Sequence, residues 1–144
     1  MTPEARPLDA TVAQVRSFDN DEDRARMAGP GLRTFFAIAT EWDLSVEQQC
    51  TLLGGIARST HHKWRKEGTA SLTRDQLERI SLVLGIYKGM KLLFADSDGG
   101  RAWFFAPNRD WTFGNKAPLA RMLGGSIDDL YAVRRYLDSW RGVK

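Results

Sequence analysis

The last nineteen residues of the chain, SIDDLYAVRRYLDSWRGVK (126–144), restrict its fold more than any other stretch. Ser126 followed by Asp129 resembles a capping box, the side-chain pattern that begins a helix. Apolar residues then recur at helical spacing: Leu130, Val133, Leu137 and Trp140. Gly142 is a natural helix end. The pattern predicts an amphipathic helix with one apolar stripe on a core and a basic end. A core helix with a frayed end is the simplest interpretation of this stretch alone.

Helix signals also dominate the rest of the chain, and no convincing strand alternation appears. Capping boxes begin at Ser45 and Thr73, and each is followed by apolar residues at helical spacing. Gly85 interrupts the second pattern, which predicts either two helices meeting there or one long bent helix. The fold class is therefore predicted to be all-α.

Breaks in these patterns divide the chain into three parts. Gly29-Pro30-Gly31 predicts an interruption, and ADSDGG (95–100) has the composition of a linker. We expect a helix-turn-helix domain at 31–95 and a small helical C-terminal domain at 96–144. For the N-terminal arm at 1–30, a helix packed on the body and a mobile lead-in are both open.

Composition limits the classes of protein. Hydrophobic residues make up 42% of the chain, which indicates a folded protein, but no run approaches the roughly eighteen apolar residues of a membrane span. The first residues lack an apolar signal core. Cys50 is the single cysteine, so an intrachain disulfide is impossible and we expect a reducing cytoplasm. A net charge of +3 permits nucleic-acid binding without requiring it.

Residues 45–68 have the pattern of a helix-turn-helix, with two short helices, a glycine-containing turn and Trp64 placed to hold the second helix on the first. In that motif the second helix enters the major groove of DNA. The predicted DNA-binding residues are Arg58, Ser59, Thr60, His62, Lys63, Arg65 and Lys66. A plain helical hairpin with solvated basic residues is the alternative.

Catalytic and metal-binding patterns are missing from the sequence. His61 and His62 are adjacent, so on a helix they point about 100° apart and cannot easily share a tetrahedral metal. His61 is expected to fill a half-buried position, and Cys50 to be a buried, inert thiol. We find no nucleophile with a matching base, no paired catalytic carboxylates and no phosphate-binding glycine loop. We therefore expect no enzyme activity, no cofactor and no metal.

Aromatic residues crowd the last third of the chain. A segment of this length can bury only part of them. We expect Phe104, Phe113 and Leu119 in the core, with some tryptophans and arginines outside on a face that meets a partner.

The segment AWFFAPNRDWTFGNKAPLARMLGGSIDDLYAVRRYLDSWRG (102–142) resembles the toxin-binding domain of Xre/MbcA/ParS antitoxins. The resemblance lies in Pro107-Asn108, Phe113-Gly114, Pro118-Leu119, Met122-Leu123 and the stretch from Val133 to Gly142. LLGGIARSTHHKW (52–64) and LERISLVLGIYKGMKLLF (77–94) are similar to the Xre-like helix-turn-helix of the same antitoxins.

The resemblance implies an antitoxin that silences a RES-domain toxin, an enzyme that depletes NAD, and that binds the promoter of its own operon. In the family the C-terminal end reaches the entrance of the toxin's active site. We expect the toxin-binding residues to be Trp111, Tyr131, Arg134, Arg135, Trp140, Arg141, Gly142 and Lys144. A DNA-binding repressor without a toxin partner is the alternative.

Two features of the helix-turn-helix depart from the family pattern. Many Xre-type motifs have a single residue where this chain has Gly54-Gly55, and an apolar or aromatic residue where it has His61. The motif could therefore serve mainly for dimerisation. Because helix-turn-helix proteins usually read two half-sites, we expect a homodimer within a larger toxin–antitoxin complex, with Ile86–Phe94 contributing to its interface.

Overall fold

The computed structural model describes residue 18 and residues 20–142, and this part of the chain contains only helices as regular structure. The seven helices are α1 (Asp21–Glu41), α2 (Val46–Leu52), α3 (Arg58–Glu67), α4 (Arg74–Leu93), α5 (Ser97–Phe105), α6 (Pro118–Met122) and α7 (Ile127–Trp140). The predicted all-α class, with a helix-turn-helix followed by a C-terminal helical part, is confirmed. Residues 1–17 of the predicted arm, and Lys144, lie outside the described residues. Among the described helices, none is long and apolar enough to cross a membrane.

The predicted interruption at Gly29-Pro30-Gly31 is wrong, because α1 runs through it without a break. Pro30 lies on the exposed side of the helix, where the carbonyl group that loses its N–H partner can be hydrated. Gly29 is buried and brings α1 close to the end of α3, since a Cβ there would lie 3.6 Å from the Gly68 carbonyl oxygen. Burial of Leu32, Phe35, Phe36 and Ile38 against the core then holds the helix despite its poor local propensity.

Both predicted capping boxes in the first half of the chain are confirmed. The Gln48 backbone N–H donates to Ser45 Oγ at 3.1 Å and the Ser45 N–H donates to Gln48 Oε1 at 2.9 Å. Thr73 and Gln76 make the same pair of bonds at 3.1 and 3.0 Å. Each box therefore fixes the first residue of its helix, α2 or α4.

Helix α4 is the centre of the fold and is continuous through Gly85. One side packs on α1 and the other on α7. The two glycines on the second side permit that approach: a Cβ on Gly89 would lie 3.4 Å from Leu137, and a Cβ on Gly85 would overlap the Arg134 guanidinium. A single hydrophobic core therefore extends from Phe18 to Leu137. Ile86 and Met90 are buried in it, so among the large hydrophobic side chains of the predicted dimer contact only Leu92 is largely exposed.

The predicted linker at 95–100 is also wrong in its second half, where α5 begins. The Asp96 carboxylate accepts the Gly99 N–H at 2.6 Å and so caps the helix that its composition disfavours. A folded loop then leads to α6, which starts at Pro118, a residue suited to the first turn of a helix.

Helix α7 begins at the predicted Ser126 capping box, where the Ser126 N–H donates to Asp129 Oδ2 at 3.1 Å. Leu130, Val133 and Leu137 are at most 1% exposed, whereas Trp140 is 68% exposed. The predicted apolar stripe is therefore three residues long in the core, and its fourth member, Trp140, projects beyond the core.

Candidate functional site

The predicted DNA-binding residues all lie on α3. Its exposed positions include Arg58, Ser59 and His62, and Thr60 is half-buried. Lys63, Arg65 and Lys66 are exposed on the following turns. The helix therefore presents one basic, solvent-facing side from end to end.

Two of these cations already have partners within the protein. Arg58 forms an ion pair with Glu47 of α2, and the Arg65 guanidinium lies over the Phe36 ring, 5.5 Å from its centroid. His62, Lys63 and Lys66 form no ion pair with any described residue. These three side chains are therefore the most available to phosphate oxygens.

A buried polar pair holds α3 against α2. His61 Nε2 lies 2.7 Å from Gln49 Oε1, and the Gln49 amide donates to the Leu44 carbonyl at 3.0 Å. The His61 ring also makes an edge contact with Phe36 at 5.3 Å between centroids, and Trp64 is buried beside it on α3. The expectation of a half-buried His61 was wrong, since only 4% of it is exposed. Burial, with the nearby arginines, lowers the pKa of His61 below its usual 6.5.

The C-terminal end of α7 carries three of the predicted toxin-binding residues. Trp140 is exposed, Arg141 is half-buried, and Gly142 adopts a left-handed conformation with φ of 74°. Arg141 Nη1 lies 3.5 Å from Asp138 Oδ1, a long ion pair near the surface. The structure therefore places an aromatic ring and a weakly paired cation together at the tip of a helix anchored in the core.

Tyr131 and Arg134 face a different neighbour, helix α4. The Tyr131 hydroxyl donates to Glu78 Oε1 at 2.6 Å. Burial, as the larger cause, and this hydrogen bond raise the pKa of Tyr131 to about 12. Arg134 lies over Gly85 and its Nε is 3.3 Å from both Asp138 carboxylate oxygens. These two side chains therefore connect α7 to α4.

Trp111 and Arg135 belong with Trp140 in one groove of about 440 Å³. Its lining comprises Asp110, Trp111, Thr112, Arg121, Ala132, Arg135, Tyr136, Ser139 and Trp140. One wall is the loop before α6 and the other is α7. We call this the tryptophan groove.

The loop wall of the tryptophan groove is held by specific bonds. Asp110 Oδ1 accepts the Thr112 N–H at 2.9 Å, and this bond lowers the pKa of Asp110. Arg121 Nη1 donates to the Thr112 carbonyl at 2.6 Å and Arg121 Nε donates to Asp129 Oδ1 at 2.9 Å. Trp111, 89% exposed, is therefore displayed from an ordered loop.

A row of aromatic rings leads along the surface to Trp140. Trp103 stacks on Tyr136 with centroids 6.0 Å apart and planes inclined by 13°, and Tyr136 meets Trp140 at 6.3 Å. Phe94 continues the row beyond Trp103 at 5.7 Å. The expected division of the aromatic residues is found, with Phe104 and Phe113 inside and two tryptophans outside.

Sequence reasoning missed the groove face of α7. The signal was a second helical stripe, at i, i+3, i+4 and i+7, that runs beside the apolar one: Ala132, Arg135, Tyr136 and Ser139. Small residues at its two ends leave room for a partner. In the part of the chain that is described, no group of three His, Cys, Asp or Glu residues could hold a metal ion.

Comparison with known proteins identifies both halves of the chain. Residues 21–85 match the antitoxin Xre-like helix-turn-helix domain, and residues 91–142 match the antitoxin Xre/MbcA/ParS C-terminal toxin-binding domain. A curated relative from Sinorhizobium fredii (strain NBRC 101917 / NGR234), called uncharacterized protein y4oB, is 41% identical over 128 residues. That alignment covers 89% of this chain and 96% of the relative. With a helix-turn-helix built around α3 and a toxin-binding domain that ends in α7, the chain belongs to the Xre/MbcA/ParS family of antitoxins.

Proposed function

We propose that this protein is the antitoxin of a type II pair and neutralises a RES-domain toxin that degrades NAD, by placing its C-terminal end at the toxin's active site. The family supports a toxin as the partner. The resemblance described above supports a RES-domain toxin and the inhibitory role of the C-terminal end.

One observation carries the inhibitory role. Trp140 is 68% exposed although it directly continues a stripe whose other members are at most 1% exposed. An exposed tryptophan costs solubility without stabilising the fold, and tryptophan and arginine are the residues that most often dominate binding energy at interfaces. The core anchor of α7 holds this end in a defined direction, which reduces the entropy lost on binding.

Arg141 supplies a charged group that the toxin can bind. A guanidinium pairs with carboxylate groups in bidentate geometry, so an acidic side chain at the entrance of the toxin's active site is a suitable partner for Arg141. Its ion pair with Asp138 is long, at 3.5 Å, and Asp138 keeps an ion pair with Arg134 when Arg141 leaves. Arg141 can therefore exchange Asp138 for a partner on the toxin at little cost.

We propose further that the protein represses its own operon, as a homodimer within a larger toxin–antitoxin complex, by placing α3 in the major groove. The basic, exposed side of α3 supports DNA contact. Dimerisation would give the two copies of α3 needed for two half-sites. Light scattering of the purified protein tests this, and a monomer at micromolar concentration would count against it.

The inhibitory end is tested in cells that express the RES-domain toxin that this protein is proposed to neutralise. NAD is measured with wild-type antitoxin, with Arg141→Ala and with a chain that ends at Trp140. We expect both variants to lose protection, because truncating an interface arginine costs about 2 kcal/mol or more, roughly thirtyfold in affinity. Lys116→Ala, which removes an exposed cation from the loop before α6, should protect fully.

Folding has to be intact for that result to count. The two variants should melt within about 4 °C of wild type, because the lost ion pair is long and Asp138 keeps Arg134 as a partner. Full protection by both variants would show that the C-terminal end is not the inhibitory element.

A further inference from the structure

The tryptophan groove contains two exposed tryptophan side chains, which are uncommon on a protein surface that contacts only water. Trp111 and Trp140 are the most exposed large hydrophobic side chains among the described residues, at 89% and 68%. They stand on different elements, a loop and a helix, and both line the same groove. Its volume of about 440 Å³ is within the roughly 300–1,000 Å³ of ligand pockets, enough for a few side chains of a partner.

Of the charged side chains that line the groove, one is available to a partner. Arg121 is occupied by Asp129 and by the Thr112 carbonyl, and Asp110 accepts the Thr112 N–H. Arg135 is exposed and has no carboxylate within ion-pair distance among the described residues. An arginine beside aromatic walls is suited to bind a carboxylate in bidentate geometry.

The net charge of the surrounding sequence is positive, like the charge of Arg135. Residues 101–142 contain seven lysines and arginines against four aspartates and no glutamate. A two-fold contact between copies of this chain would place that surface against itself, with arginines facing arginines. Charge complementarity therefore favours an acidic partner over a second copy.

We propose that the tryptophan groove is a docking site for a toxin segment that places an aspartate or glutamate carboxylate against Arg135 and apolar side chains over Trp111 and Trp140. This rests on the proposed function, because the toxin is the partner. It assigns a second role within the complex. The groove supplies affinity and orientation, whereas the end beyond Trp140 blocks the active site.

The docking site is tested by titration calorimetry of the full chain with the RES-domain protein that it is proposed to neutralise. Arg135→Glu and Trp111→Ala should each weaken binding at least about tenfold, as loss of a central interface residue does. Lys116→Glu carries the same charge reversal on an exposed loop residue outside the groove. This control should stay within about threefold of wild type.

Salt provides a second readout. Wild-type affinity should fall as ionic strength rises, because the contact joins opposite charges near the surface. Arg135→Ala should bind more weakly at low salt and show a smaller decrease. All variants should melt like wild type, since both Arg135 and Trp111 are exposed.

The outcomes separate the two proposals. If wild type does not bind the RES-domain protein, the proposed function fails and this inference fails with it. If wild type binds and both groove variants bind equally well, the docking site is overturned while inhibition by the C-terminal end can still stand. If the groove variants instead turn a dimer into a monomer without changing toxin affinity, a second copy covers the groove and the inference is wrong.

Discussion

A single buried histidine shows how residue chemistry sets the properties of the helix-turn-helix. His61 lies where α3 meets α2, and its Nε2 bond to Gln49 requires an N–H there, because the Gln49 oxygen can only accept. The neutral ring satisfies that bond. A proton on the second ring nitrogen would place a charge in a buried site beside Arg58 and Arg65.

The first prediction is therefore a loss of stability at mildly acidic pH. The folded pKa of His61 is below the 6.5 of the unfolded chain, so the unfolded state binds more protons as pH falls through 6.5. The stabilisation is complete above pH 6.5 and decreases below it, toward the folded pKa. We expect the melting temperature to fall between pH 7.5 and pH 5.5.

His61→Gln checks the origin of that effect. The variant should melt at a lower temperature, because no ring packs against Phe36, but its melting temperature should depend less on pH over the same range. His62→Gln, at an exposed position, should retain the wild-type dependence. An unchanged slope in His61→Gln would assign the pH effect to another group.

At the scale of single elements, α1 shows packing overriding local preference. Its Gly-Pro-Gly sequence predicts an interruption, yet the helix continues because its inner face is buried along its length. Gly31 has no role that requires glycine: a Cβ there would lie 3.5 Å from Ile80 Cγ2 and 3.8 Å from Leu77 Cδ1, ordinary contact distances.

The second prediction is that Gly31→Ala stabilises the protein. Alanine loses less backbone entropy than glycine in a helix, which is worth about 0.5–1 kcal/mol. We expect urea denaturation to show a higher midpoint with an unchanged slope. Gly54→Ala is the opposing control, because Gly54 has φ of 101° and the substitution should destabilise the turn. A less stable Gly31→Ala would mean that the helix cannot accommodate even one added methyl group here.

The third prediction concerns α3 as a DNA-binding element. Substituting Lys63, Arg65 and Lys66 together by alanine should weaken binding to the promoter DNA of the operon. The salt dependence should decrease by about 0.9 in log–log slope for each phosphate that the variant no longer neutralises. Fluorescence anisotropy over a salt series measures both. Lys116→Ala should leave the slope unchanged, and equal promoter affinity in the triple variant would exclude α3 as the DNA contact.

At the scale of the whole molecule, the two family domains share α4. Glu78, Gly85 and Gly89 on one face of α4 receive Tyr131, Arg134 and Leu137 of α7. One hydrophobic core extends across both domains. Toxin contact and DNA contact would therefore occur on one packed body.

The fourth prediction is that the full chain unfolds in a single transition. Helical circular dichroism and tryptophan fluorescence should give coincident melting curves, because tryptophans occur in both halves: Trp42, Trp64, Trp103, Trp111 and Trp140. A fragment of residues 20–95 exposes the α7-facing side of α4 and should lose cooperative melting. Two separate transitions in the full chain would show that the halves fold independently.

The sequence by itself determined the features that depend on neighbouring residues. The capping boxes at Ser45, Thr73 and Ser126 were predictable because their hydrogen bonds join residues close along the chain. The helical class and the family also follow from patterns along the chain. Phe104 and Phe113 were also predicted to lie in the core, and both are buried there.

Tertiary structure alone decided the features that depend on distant residues. The continuity of α1 depended on burial that outweighs local propensity. Trp140 lies outside the core because the core ends at Leu137, and the division of α7 into a face toward α4 and a face toward Trp111 required the position of the loop. Helical spacing shows which residues share a side of a helix, but only the packed partner determines which side remains open to another protein.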